Sequence, residues 1–293
     1  MLQFSVIDAP SILGLKPTGV ETLPEALKNA GLIQGLRAGY AGRVDAPPYK
    51  PERDRDTLLL NPYSIKEFSL RLAEKVADVR RKGRFPVVLG GDCSILIGCM
   101  LALRRSGKYG LFFIDGHADF YQPEAEPNGE VASMELAIVS GRGPNILTDI
   151  DGLKPLVRDE DIIAFGYRDT EEQKEHASQD IRETSINAFS LEQVRALGSD
   201  IAAQKALERL QKDQLNGFWI HLDADVLDNA IMPAVDYPLP DGGLQWDELS
   251  ALLRALMTSG QAVGITITIF NPTLDPSGSI ANQFTQSIIM GFS

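Results

Sequence analysis

The sequence predicts an α/β fold, a three-layer α-β-α sandwich with a parallel sheet. Two observations predict it. Short apolar runs alternate with helical patterns along the chain. The runs are apolar at consecutive positions, as in strands covered on both faces, and helices separate them.

The elements follow in order. "QFSVID" (3–8) reads as the first strand, and "TLPEALKNAGLIQGL" (22–36) as a helix with Thr22 as cap and Pro24 early in it. "PYSIKEFSLRLAEKVADVRRKG" (62–83) is a long amphipathic helix closed by Gly83. "FPVVLGGD" (85–92) reads as a strand, "SILIGCMLALRRSG" (94–107) as a helix and "YGLFFID" (109–115) as a strand. A short helix, "SMELAIVSG" (133–141), precedes the strand "DIIAFGYRD" (161–169). A helical stretch at 190–214 is broken near Gly198. The strand "GFWIHLDAD" (217–225), the helix "QWDELSALLRALMTSG" (245–260) and the strand "AVGITITIFNP" (262–272) end the series. Segments 45–56 and 121–129 are rich in Pro and charge and read as surface loops, so residues 1–293 are expected to form one domain.

Composition narrows the function classes. The 293 residues are 44% hydrophobic and 23% charged, which suits a soluble enzyme. A net charge of -12 argues against nucleic acid, whose phosphates need a basic face. The two cysteines, Cys93 and Cys99, are no disulfide framework and fit a reducing compartment. No signal peptide or membrane span is visible, so a cytoplasmic location with no membrane partner is expected.

In open parallel sheets, ligands bind beyond the C-terminal ends of the strands. Three strand ends collect polar groups: Asp92 and Cys93; Asp115, His117 and Asp119; Asp223 and Asp225. Alternate residues of an extended segment face one way, so each Asp-x-His-x-Asp or Asp-x-Asp set converges if the strand continues. Crowded carboxylates repel, and no Lys or Arg lies within the motifs. A divalent metal, as a pair of ions, is the simplest remedy, and oxygen donors with one imidazole suit Mn²⁺ and related ions. His221 stands two residues before Asp223 and reads either as a core histidine or as a donor supporting a ligand. His176 reads as a solvated helix residue.

These motifs resemble the arginase–agmatinase family of ureohydrolases, which includes formiminoglutamase. "GGDCS" from Gly90, "DGHAD" from Asp115 and "HLDADVLDN" from His221 are similar to its three signatures. "GVETLPEALKNAGL", "FGYRDTEE", "MPAVDYPLPDGGLQWDEL" and "IFNPTLD" extend the resemblance over nearly the whole chain. The resemblance implies two Mn²⁺ ions bridged by a hydroxide that attacks a guanidinium carbon, releasing urea and an amine. Carried over, Asp115 and Asp223 would bridge the ions. Asp119 and Cys93 would complete one, and His117 and Asp225 the other. Asp119 and His117 would be the catalytic groups. Asp92 and Asp228 would support the metal loops. The family also implies a homo-oligomer, a trimer or hexamer.

Departures from the family shape the expected chemistry. Cys93 stands where the family has a ligating His. It is either a thiolate ligand, which favours Zn²⁺, Fe²⁺ or Co²⁺, or a small buried residue. Ile269 stands where the family places the Glu that pairs with guanidinium, and Ala132 where it places a proton-shuttling His. The loop after Asp119 carries Glu124, Glu126 and Glu130. Those charges would repel a carboxylate, and they would either attract an amine tail or face solvent. Tyr121 would narrow the pocket, and Glu171 would sit near a substrate amine. The expected function is therefore metal-dependent hydrolysis of a linear C–N bond in a small guanidino, amidino or formimino compound other than arginine. The alternative is a catalytically degenerate member with a structural or regulatory role.

Overall fold

The computed structural model describes residues 2–212, 214–239 and 242–293. Asp213, at the end of one predicted helix, and Pro240 and Asp241, within one family-like stretch, lie outside them. Among the described residues eight strands form one sheet: β1 (Phe4–Ala9), β2 (Gly39–Arg43), β3 (Phe85–Gly90), β4 (Gly110–Ile114), β5 (Ile162–Phe165), β6 (Asn187–Phe189), β7 (Phe218–Asp223) and β8 (Ala262–Thr268). Their order is β2-β1-β3-β8-β7-β4-β5-β6, and every pairing is parallel.

The apolar runs are explained by burial on both faces. Phe112 and Ile114 of β4 enter one core, while Leu111 and Phe113 enter the other. The first core is covered by the helices Leu23–Asn29, Ser199–Leu210, Trp246–Thr258 and Ser279–Gly291. The second lies under Pro62–Arg81, Leu96–Arg104 and Glu135–Val139. The result is the three-layer α-β-α sandwich that the sequence predicts.

The sequence reading missed β2, β6 and the helix Ser279–Gly291. Both strands are sheet edges with partly exposed residues, so neither shows an apolar run. The helix predicted over 22–36 is interrupted at Gly31, which adopts φ 91°. The break near Gly198 is present, with φ 82°.

The topology places β3, β8, β7 and β4 side by side. All run the same way, so the segments following Gly90, Thr268, Asp223 and Ile114 emerge on one edge. The chain after β3 passes so close to a neighbouring loop that a Cβ on Gly91 would lie 1.8 Å from the Ser11 carbonyl oxygen. Gly91 thereby lets Asp92 and Cys93 turn in towards the sheet edge.

Candidate metal centre

The acidic residues do not converge along extended strands, contrary to the alternation argument. β4 ends at Ile114, and Asp119 has a left-handed φ of 43°. A tight turn gathers the motif instead: the backbone N–H of His117 donates to Asp115 Oδ1 at 2.7 Å. Beyond β7, residues Ala224–Val226 form a short 3₁₀ turn, and the N–H of Asp225 donates to Asp223 Oδ1 at 2.8 Å. The N–H of Gly116 donates to Asp225 Oδ1 at 2.9 Å and ties the two turns together. Each of these carboxylates spends one oxygen on backbone and keeps the other for the centre.

Three overlapping groups of donor atoms result, each with its atoms within 4.8 Å of one another. Cys93, Asp115, His221 and Asp223 form the first; Cys93, Asp115, Asp119 and Glu135 the second; Asp115, His117 and Asp225 the third. All six expected metal residues are thus brought together. Glu135 is the member that sequence reading missed. It opens the fully buried helix Glu135–Val139 beside Asp119, and among the described residues no N–H or hydroxyl group donates to either of its carboxylate oxygens. A Glu at the head of "ELAIV" resembles an ordinary helix-dipole residue; the apolar run behind it was the available signal.

The electrostatics follow from crowding. Burial raises the pKa of Asp115, Asp223 and Glu135 well above the carboxylate range, and the neighbouring carboxylates add to it. Burial lifts Asp119 to about 7 against the opposing pull of His117. The Cys93 thiol is pushed up by burial and by Asp223, and it donates to Asp223 Oδ2 at 2.8 Å. His221 is fully buried, which lowers it to about 3, so its imidazole is neutral. Among the buried atoms without partners are Asp115 Oδ2, both Glu135 oxygens and His221 Nε2. Unpaired buried donors and anions are costly unless a cation satisfies them. Oxygen, nitrogen and sulfur donors aimed at common points fit divalent metal.

A cavity of about 280 Å³ opens over the centre. His117, Asp119, Asp223 and Asp225 lie at its base, with Tyr121, Glu126, Glu130, Ala132, Glu172, Tyr237 and Ile269 among its walls.

Comparison with known proteins places this arrangement. A model described as the arginase family matches residues 3–292. The chain belongs to the arginase family. The arginase of Bacillus caldovelox is 32% identical over 289 residues, covering 96% of this chain and 95% of that protein. Its native structure superposes with a TM-score of 0.90 at 29% identity, covering 100% and 99% of the two chains. The arginase of Bacillus subtilis is 29% identical over 292 residues, with 97% of each chain covered. The proclavaminate amidino hydrolase of Streptomyces clavuligerus shares the fold, with a TM-score of 0.70 at 18% identity, covering 100% and 92%.

Against this arginase-family frame, several expected site residues take other positions. Glu171 is exposed and faces a second cavity bounded by Tyr167 and Arg182; its neighbour Glu172 lines the main one. Glu126 and Glu130 do not face solvent. Glu126 accepts the N–H groups of Gly129 and Glu130, the latter at 2.9 Å. Glu130 is held by Lys16 at 2.9 Å and by the Tyr237 hydroxyl at 2.9 Å. Tyr121 narrows the cavity, its ring edge-on to His176, which is exposed at the rim. Asp92 caps the turn at Cys93 by accepting from Ser94 N at 2.9 Å and also accepts from Gly14 N at 3.2 Å. Asp228 lies apart from the acids, accepting from Ala230 N at 2.9 Å while its own N–H donates to the Leu244 carbonyl. Among the described residues no helix is long and apolar enough to cross a membrane.

Proposed function

We propose that this arginase-family chain is a metal-dependent hydrolase of a linear C–N bond in a small guanidino, amidino or formimino compound. The observation that carries the reading is the convergence of Cys93, Asp115, His117, Asp119, Asp223 and Asp225 in overlapping donor groups, four of them at the base of a cavity and Asp115 with an unpartnered buried oxygen. When bound, divalent metal supplies Lewis-acid polarisation and a water acidic enough to attack near neutral pH. Asp115 and Asp223, each grouped with other donors, would help to hold the metal. Asp119 and His117 face the cavity and are the groups assigned to proton handling. Tyr121 and Tyr237 restrict the opening, while Glu126 and Glu172 make the walls acidic and favour a cationic tail, Glu130 being already paired with Lys16.

Substrate identity rests on two opposed indications. Ile269 and Ala132 line the cavity where the family resemblance places a Glu and a His, which speaks against arginine. The relatives are named arginases, and their names do not support that exclusion. Arginine therefore belongs in the substrate panel. The same two positions favour the second reading, a catalytically degenerate protein that keeps metal for stability. The proposal also carries a single domain over 1–293, a cytoplasmic location and a trimeric or hexameric homo-oligomer.

The test is urea and ammonia release from guanidino, amidino and formimino compounds, after loading with Mn²⁺, Zn²⁺, Fe²⁺ or Co²⁺. Turnover of one class, abolished by chelator, is expected. Bound metal with no turnover across the panel would favour the degenerate protein.

A further inference from the structure

We propose that Cys93 and His221, with Asp115 and Asp223, make the deep metal position a mixed nitrogen, sulfur and oxygen site, chemically unequal to the outer position at Asp115, His117 and Asp225. This deepens the function proposed above and rests on its reading that the cluster holds metal.

The contacts around His221 accommodate an Nδ1–H tautomer. Its Nδ1 lies 2.8 Å from Thr266 Oγ1. That hydroxyl also accepts from Trp219 Nε1 at 3.3 Å and donates to the Ile220 carbonyl at 3.5 Å. A hydroxyl has one proton to give. When that proton goes to Ile220, His221 Nδ1–H donates to Thr266, which is the tautomer a metal on Nε2 would select. Nε2 then carries a bare lone pair. It has no hydrogen-bond partner and points at Asp115 Oδ2 and Glu135 Oε1, each 3.9 Å away. The ring is clamped against Phe113, with centroids 4.8 Å apart and planes 11° from parallel. A lone pair facing two carboxylate oxygens in a dry interior is repulsive without a cation between them. Donors held about 2.1–2.3 Å from one ion stand roughly 3.4–3.8 Å apart in a tetrahedron, so the 3.9 Å between His221 Nε2 and Asp115 Oδ2 would close slightly around a shared ion.

Position 93 carries imidazole in the family pattern and Cys here. The imidazole is supplied instead from β7, and Thr268 of β8 sits between, 3.1 Å from Cys93 Sγ. The bond from His221 Nδ1 to Thr266 is the supporting contact that fixes ring orientation at metal-ligating histidines. Cys93 would hold the ion as the thiolate, its proton given up to solvent, and would share the cation with Asp223 in place of their hydrogen bond. Thiolate with imidazole selects Zn²⁺, Fe²⁺ or Co²⁺, whereas the outer group, with two carboxylates and one imidazole, suits Mn²⁺.

X-ray absorption and cobalt spectroscopy on the full chain test this. The chain has three histidines: His117, His176 and His221. In the double variant His117→Ala/His176→Ala, loaded with one equivalent of Zn²⁺, the expected shell contains one sulfur and one imidazole. Wild-type protein titrated with Co²⁺ should develop a near-ultraviolet sulfur-to-metal band that Cys93→Ser removes. A zinc shell of oxygen alone, or a wild-type cobalt spectrum without the sulfur band, overturns the mixed site while the metal reading stands. The wild-type spectrum decides the matter even if a variant fails to fold. Wild-type protein that binds none of these metals overturns the underlying reading itself.

Discussion

His117 Nδ1 stands 2.8 Å from Asp225 Oδ2, so the outer edge of the acid cluster closes on a paired imidazole. Burial works against the charged ring, but Asp225 raises its pKa to about 10. Burial likewise opposes the Asp225 carboxylate, yet His117 brings it down to about 2. Replacing His117 by Ala removes both the counter-charge and a donor of the outer group. Metal content should fall by about one ion per chain, with the deep group retaining its own. Elemental analysis after dialysis checks this, and an unchanged metal count would take His117 out of the centre.

The pKa directions give a pH signature for metal-stripped protein. Asp119 moves from 3.8 to about 7, so it holds more protons folded than unfolded and stability falls as pH rises through that window. His117, raised from 6.5 to about 10, contributes stability that is complete below 6.5 and lost on the way to about 10. Asp225 runs oppositely: its contribution is present above 3.8 and lost as pH falls towards about 2. At these groups the stripped protein weakens from mildly acidic to alkaline pH. Bound metal keeps the acids ionised and removes that loss. The gap in Tm between loaded and stripped protein should widen with pH by about 5 °C or more, since ~1 kcal/mol moves Tm by roughly 2–4 °C at this chain size. Calorimetry across the range would count against metal in the cluster if the gap stayed constant.

Changing Cys93 to His tests the sulfur donor from the other side. The thiol is fully buried beside Asp223 and Thr268, so the replacement must take the same place. A borderline nitrogen in place of soft sulfur should shift preference towards Mn²⁺ by about 10-fold relative to Zn²⁺. Competition binding with the two metals reads this directly. An unchanged ratio would mean that position 93 does not touch the ion.

The sequence was informative where one physical constraint governed a segment. β3, β4, β5 and β7 are buried on both faces; the first three read as uninterrupted apolar runs, and β7 is broken only by His221 before its terminal Asp223. Their ends carry the acids because ligand sites of parallel sheets lie there. β2 and β6 lie at the edges and are half exposed, so nothing forces an apolar pattern on them. Glu135 was hidden because its approach to Asp119 depends on how the loop between them folds back. The side chain of Glu171 was assigned to the pocket by position in a motif, but helix phase turns its neighbour Glu172 inwards instead.

The loop over the cavity is held by one side chain from outside it. Arg53 donates to the carbonyls of Leu58 at 2.8 Å, Pro127 at 2.7 Å, and Pro123 and Glu126 at 3.3 Å each. These bonds pin the segment that carries Glu126 and Asn128 into the cavity wall. Arg53→Ala leaves the sheet untouched but frees that wall. Hydrogen bonds to a charged group contribute ~1.5–3 kcal/mol each before the cost of ordering is subtracted. A loss of about 1–3 kcal/mol in stability is expected, with KM for an active substrate raised roughly 10-fold and kcat much less affected. Equal losses in kcat and kcat/KM would instead place the loop in the chemical step.

Ile269 offers the sharpest test of substrate class. It lines the cavity and is nearly buried, and its φ of 68° is a left-handed conformation that β-branched residues rarely adopt. Its N–H donates to the Gly91 carbonyl at 2.9 Å, which fixes this backbone beside the Asp92–Cys93 turn. Ile269→Glu removes the β-branch from a strained position and turns a carboxylate towards the cavity. A guanidinium would then meet a charge-assisted partner in a partly dry site, a contact of ~1.5–3 kcal/mol. The kcat/KM for guanidino compounds should rise about 10- to 100-fold, while that for uncharged amides should not. The ratio of the two rates reads the effect without depending on enzyme concentration. A variant that folds, binds metal and shows the same ratio would mean that Ile269 does not face the reacting group, and that selectivity is set elsewhere in the wall.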